Sequence, residues 1–147
     1  MISKKIQPHL CSFRVYYGDT DAGGVMYHAA YIDFFARARN EWCRDFGLSI
    51  ERQKSLGLCF IVHQIAATYH KPAYLEDLVE IVTDVTSLSR IKIIFHQKLY
   101  RKNSGELLCE AMVTAVCVDA SSFEVKRLPS AEMVSLERRL ADPGKPE

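Results

Sequence analysis

The sequence predicts an α+β domain in which a long, strongly curved antiparallel β-sheet wraps around one central helix. Three observations carry this expectation. The stretch from His28 to about Phe46 repeats its apolar residues with the period of an amphipathic helix. From Leu58 onward the apolar residues recur at every second position, run after run, with turn signals but no helix between the runs. Several of those runs look ten or more residues long, above the usual strand length of about 5–6. Strands joined directly by turns pair antiparallel, because a parallel pair needs a long crossover. One helix and one sheet must then bury their apolar faces against each other.

The elements follow in order. Phe13 to Tyr17 is a short β-rich run, and Gly18 to Tyr27 is a loop. In the helix that follows, Tyr31, Phe34, Phe35, Ala38, Trp42 and Phe46 form one stripe, while Asp33, Arg37, Asn40 and Arg44 take other faces. Gly47 suits the position after a helix end, where a left-handed residue is wanted. Ser49 is placed to cap a short second helix that stops before Gly57. Ile61, Ile65 and Tyr69 share one face of the next run, which Pro72 closes. Val79, Ile81 and Val85 alternate with Glu80, Asp84 and Thr86; Ile91, Ile93, Phe95 and Leu99 alternate with Lys92, His96 and Lys98. Asn103-Ser104-Gly105 is a turn. Leu107, Cys109, Ala111, Val113, Ala115 and Cys117 then line an apolar face whose small side chains admit a helix closely. A last short strand, Phe123 to Leu128, leads through Pro129 to a terminal helix with Ser130 as its N-cap.

A chain of 147 residues supports one domain with a proper core. The expectation is a single domain over 1–147, with its core at about 12–135 and a disordered tail at 142–147. Apolar residues make up 48% and charged residues 25%, the balance of a soluble globular domain. A net charge of +1 gives no basic field, so nucleic acid is not expected as a partner. Cys11, Cys43, Cys59, Cys109 and Cys117 form no C-x-x-C pair and are odd in number. Met1 to Ser12 is polar, with no apolar segment of a signal peptide, and no run is long enough to span a bilayer. A cytoplasmic protein with reduced thiols is expected. His9, His28, His63, His70 and His96 show no H-x-x-x-H spacing and no cysteine partner, so no metal is expected. His63 reads as a hydrogen-bonded core histidine and His96 as solvent-facing; only His28 has a functional setting.

That setting is Tyr17-Gly18-Asp19-Thr20-Asp21-Ala22-Gly23-Gly24-Val25-Met26-Tyr27-His28. Two carboxylates stand two residues apart, a glycine pair turns the chain, and a helix starts at once. Its start offers free backbone N–H groups and partial positive charge, with no Ser, Thr, Asp or Asn to cap it. Asp21 would serve as base or nucleophile. Glu41, two turns along the helix, is a lesser acid candidate, better read as a surface or salt-bridge residue. An aspartate-phosphatase loop would also place D-x-D after an apolar strand, but in a doubly wound parallel sheet, which the run of strands does not support. A calcium loop would require a ligand where Gly23 stands and a bidentate Glu where Ala30 stands. The remaining rival is an Asx-rich turn that only connects strand to helix.

Arg14 to Tyr31, followed by Ala36-Arg37-Ala38-Arg39, closely resembles the hotdog-fold acyl-CoA thioesterases of the 4-hydroxybenzoyl-CoA thioesterase type, nearest to their YbgC-like, Tol-Pal-associated branch. Tyr74 to Glu80, Val113 to Asp119 and Arg127-Leu128-Pro129 fit as well. The resemblance implies a sheet wrapped around the long helix and a homodimer, commonly built into a homotetramer, whose sheets pair edge to edge. Its active sites would lie between subunits. Asp21 matches the catalytic carboxylate, as general base or as nucleophile. The N–H of His28 would polarise the thioester carbonyl, and its side chain matches a catalytic contributor of that branch. Gly24 and Tyr27 fall within the substrate-binding stretch, and Asp19 would support the loop. Gly18 stands where the branch more usually has Glu. The reaction implied is acyl-CoA, or an acyl carrier protein thioester, to free acid and thiol, with no metal or cofactor beyond the coenzyme A of the substrate. Arg90, Lys92, Lys126 and Arg127 are candidates for its phosphates. Two alternatives remain open at this point: a hotdog enoyl-CoA hydratase or dehydratase, and a non-catalytic partner of acyl carrier protein or an envelope complex.

Overall fold

The structure, a computed structural model, describes residues 8–141. The expected tail at 142–147 lies outside the described residues. The elements are β1 (His9–Arg14), α1 (His28–Asp45), α2 (Ile50–Ser55), β2 (Leu58–Tyr69), β3 (Leu78–Leu88), β4 (Lys92–Arg101), β5 (Glu106–Asp119) and α3 (Ser130–Ala141), with a 3-10 turn at Tyr17–Asp19. The five strands form one sheet in the order β1-β3-β4-β5-β2, and every pair is antiparallel. This is the hotdog arrangement, a curved sheet around α1. Among the described residues no helix is long and apolar enough to cross a membrane.

Helix α1 exists because its apolar stripe meets the inner face of that sheet. Tyr31, Phe34, Phe35, Ala38, Trp42 and Phe46 are all buried. Trp42 stacks on Phe46 at 4.5 Å between ring centroids and meets Phe95 of β4 edge-on at 5.2 Å, an aromatic geometry favoured by ring quadrupoles. One polar residue also crosses this layer. Gln97 of β4, fully buried, donates to the Phe35 carbonyl at 3.0 Å and to Thr83 Oγ1 at 3.1 Å, and accepts from Arg39 at 3.1 Å. The helix ends where expected. Gly47 has φ +83°, and the N–H groups of Leu48 and Gly47 return to the carbonyls of Cys43 and Arg44, the two bonds of a Schellman close. Ser49 caps α2 by accepting from the Arg52 N–H at 3.1 Å.

Four expectations about strands need correction. The first strand runs over His9–Arg14, earlier than Phe13 to Tyr17. Val15 still bonds across to Asp77 and Glu76, and Tyr17 has already entered the 3-10 turn. In β2 the ladder skips His63, a bulge that reverses the phase of the strand. Leu58 and Phe60 face inward before it, Ile65 and Ala67 after it, so Ile61 is exposed and does not share a face with Ile65. His63 is likewise exposed, not a core histidine. In β5 a shift opposite Leu99 and Tyr100 turns Leu108 inward in place of Leu107. Phe123 to Leu128 is no ladder strand but a loop with one bridge, Val118 to Val125. Phe123 takes φ +62° to close a tight turn on Asp119, and the segment then crosses to bond Arg90.

Candidate active site

The acid loop folds as a tight turn held against the sheet. Thr20 bridges Met26, Val25 bridges Tyr74, and the Met26 N–H donates to the Ala73 carbonyl at 2.8 Å. Inside the turn, the Asp21 N–H donates to Val25 and the Gly24 N–H returns to the Asp21 carbonyl. Gly24 sits at φ +81°, a conformation that costs a residue with a Cβ about 1–2 kcal/mol. The Asp21 carboxylate lies back over this turn, where its Oδ1 accepts the Gly23 N–H at 2.8 Å. A Cβ on Gly23 would stand 3.2 Å from that oxygen, so the glycine leaves room for the carboxylate. Asp19 ties the loop instead: its Oδ2 accepts from the Tyr16 N–H at 2.9 Å, and its carbonyl accepts from the Tyr27 N–H at 2.8 Å.

The chain then enters α1 with Tyr27 extended at φ −64°, ψ 138° and no side-chain cap. The His28 N–H at the helix start has no acceptor within the described residues, while the Ala30 N–H is satisfied by the Tyr27 carbonyl. An open N–H at a helix start binds negative charge. Tyr69, at the end of β2, fixes this corner by donating its hydroxyl to the His28 carbonyl at 2.8 Å. Its ring meets Tyr31 edge-on at 5.1 Å. The Tyr31 hydroxyl accepts from the Ala73 N–H at 3.0 Å. Burial pushes both phenols above their ordinary value, so they stay protonated at neutral pH.

Asp21, His28, Tyr31, Tyr69, His70 and Lys71 line one open cleft of about 330 Å³, with Val25, Met26 and Pro72 as its apolar wall. The structure therefore brings Asp21 and His28 together. Gly24 closes the turn, and Tyr27 lies half exposed with its ring 4.4 Å from that of His28; neither lines the cleft. Arg90, Lys92, Lys126 and Arg127 do not line it either. Arg90 donates to the Leu128 carbonyl at 2.7 Å, and Lys126 reaches the Leu56 and Gly57 carbonyls. Glu41 pairs with Arg44 on the helix surface.

Tyr69, His70 and Lys71 were not visible as site residues in the sequence, because they arrive from a strand end some forty residues further on. Behind them lies a charged layer. The Glu110 carboxylate takes His70 Nε2 at 2.8 Å and His96 Nε2 at 3.1 Å, and these two imidazoles hold it below its ordinary value. His96 is thus a partly exposed partner of Glu110 on the outer face of the sheet. Lys71 bonds Glu106 at 2.6 Å and holds that carboxyl down in the same way, helped by Arg101. Among the described residues no group of three or more His, Cys, Asp or Glu is placed to hold a metal.

An acid beside an open helix start, on a sheet of this topology, is the arrangement that the resemblance to hotdog thioesterases implies. Comparison with known proteins agrees: the pattern of the Thioesterase-like superfamily matches residues 15–136, and the chain belongs to that family. It is 40% identical over 118 residues to the acyl-CoA thioester hydrolase YbgC of Escherichia coli O6:H1, covering 80% of this chain and 87% of that protein. It is 39% identical over 120 residues to the acyl-CoA thioesterase YbgC of Haemophilus influenzae, covering 79% and 85%. Among solved structures, a probable thioesterase from Bartonella henselae superposes with a TM-score of 0.77 at 31% identity, over 83% of this chain and 99% of that one.

Proposed function

We propose that this protein hydrolyses acyl-CoA thioesters, with Asp21 and the start of α1 as its catalytic corner. The balanced reaction is acyl-CoA plus water to carboxylic acid plus coenzyme A. The carrying observation is that Asp21 and His28, the first residue of an uncapped helix, line one cleft. The His28 N–H donates to the carbonyl oxygen as it gains negative charge, a contribution whose loss typically costs about 2.7–4 kcal/mol. With Oδ1 engaged by the Gly23 N–H, the second oxygen of Asp21 is left to act as general base on water. The His28 imidazole orients that water or donates a proton to the departing thiolate. No metal or further cofactor enters these steps. The acyl-CoA thioesterase activity for which the similar YbgC proteins are named supports the same reading.

The reading extends to a homodimer joined through β2. That strand is an edge of the sheet, twelve residues long, and Leu58–Tyr69 contains no Lys, Arg, Asp, Glu or Pro. Monomers protect bare edges with such residues; a second copy laid antiparallel along β2 satisfies its free backbone groups instead. The five cysteines are free, which fits a reducing, cytoplasmic setting.

The test is thiol release from a panel of short aliphatic, long aliphatic and aromatic acyl-CoAs by wild type and Asp21→Asn. Asparagine keeps an oxygen for the Gly23 N–H, so the turn survives while the base is lost. A fall in kcat of about 10²–10⁴-fold is expected. Wild-type turnover in the variant would remove Asp21 from the mechanism.

A further inference from the structure

We propose that Arg39 forms the end of the acyl pocket and selects acyl groups that terminate in a carboxylate. This rests on the acyl-CoA reading and on the β2 dimer above. Arg39 lies on α1, partly buried between helix and sheet, with its NH1 on the amide oxygen of Gln97 at 3.1 Å. Among the described residues no carboxylate pairs with it. Burial lowers its basicity, and the one group opposing that is the Cys43 thiol, which is itself pushed up to about 12 and stays neutral. A partly buried guanidinium whose one side-chain acceptor is a neutral amide has donors to spare for a ligand: its planar fork fits a carboxylate through two parallel bonds. It also has somewhere to receive one. Arg39 opens on a cavity of about 100 Å³, separate from the cleft and walled by Phe60, Phe95, Ile93 and Ala115 with Gln53 beside it. That space, at roughly 30 Å³ per water-sized group, suits a short acyl terminus and not a long chain.

Within one subunit this cavity is out of reach. Arg39 stands eleven residues beyond His28 on α1, about 16 Å along the axis at 1.5 Å per residue. The edge strand resolves this. Phe60 and Val62 line the cavity, whereas Tyr69 lines the cleft. A two-fold antiparallel pairing about the middle of β2 sets Tyr69 of one copy opposite Leu58 of the other, with strands about 4.8 Å apart. The cleft of each subunit then adjoins the Arg39 cavity of its neighbour, and an acyl group attacked by Asp21 extends into it.

The experiment compares succinyl-CoA with butyryl-CoA, equal in chain length and identical in their coenzyme, so phosphate contacts cancel in the ratio. Wild type is expected to favour succinyl-CoA at least tenfold in kcat/KM. In Arg39→Gln that ratio should fall at least tenfold, mainly through KM; Arg39→Lys, which keeps charge but not the fork, should fall between. Melting temperature and solution mass are measured for each variant. A wild type without preference for succinyl-CoA, or an Arg39→Gln ratio equal to that of wild type, overturns the proposal. Conversion of Arg39→Gln to a monomer also overturns it, since the missing carboxylate would then belong to the neighbouring subunit. Absence of thiol release from any acyl-CoA by wild type would instead overturn the thioesterase reading.

Discussion

Gln97→Leu tests what holds α1 in its place. The side chain is fully buried, of nearly leucine volume, and makes three hydrogen bonds: to the Phe35 carbonyl, to Thr83 Oγ1 and from Arg39. A neutral intramolecular hydrogen bond is worth about 0.5–1.5 kcal/mol net and one to a charged group about 1.5–3 kcal/mol. The three together come to about 2.5–6 kcal/mol. Two effects reduce the loss. Phe35 keeps its own helical bond, and leucine removes the need to desolvate an amide. A net cost of about 2–4 kcal/mol remains, most of it from the cation of Arg39 left without its acceptor. For a chain of this size 1 kcal/mol moves the melting temperature by about 2–4 °C, so a fall of about 4–16 °C is expected. It is read by thermal denaturation at one fixed protomer concentration, because association through β2 contributes to stability. A variant melting within about 2 °C of wild type would refute the idea that this polar bridge fastens helix to sheet.

Gly24→Ala places a side chain at φ +81° in open space, so its cost is conformational alone, about 1–2 kcal/mol, visible as a lower urea midpoint. The acid limb of stability should carry a signature of Glu110. Its carboxyl is held below the ordinary 4.5 by His70 and His96, so its contribution is complete above that value and disappears as pH falls through the lowered one. Glu110→Gln should flatten this part of the profile, on the acid side of that ordinary value, in urea titrations; an unchanged slope would show that the pairing adds nothing.

The helix was legible because its signals are local and agree with one another: an apolar stripe from Tyr31 to Phe46, a glycine at 47 and a serine at 49. That the strands pair antiparallel was legible in successive two-residue periods with turns and no helix between them. So was the catalytic corner as a chemical possibility, since Asp21, the glycine pair and His28 lie within eight residues of each other. What failed was phase. The bulge at His63 and the shift beside Leu108 leave no mark in composition, yet each reverses which side chains face the core, because a strand repeats every two residues and one extra residue exchanges its faces.

The tertiary structure alone decided which distant residues meet. It brought Tyr69 to the His28 carbonyl, put His70 and Lys71 in the cleft, and showed the N–H of His28 to be open. It also set Gln97 against Arg39 across 58 positions of sequence. Sequence periodicity reports whether a residue faces inward; it carries no information on which inward-facing polar groups complete each other's hydrogen bonds. That depends on strand order and helix placement, and here those decide both how α1 is fastened and where a buried cation is left for an acyl group to complete.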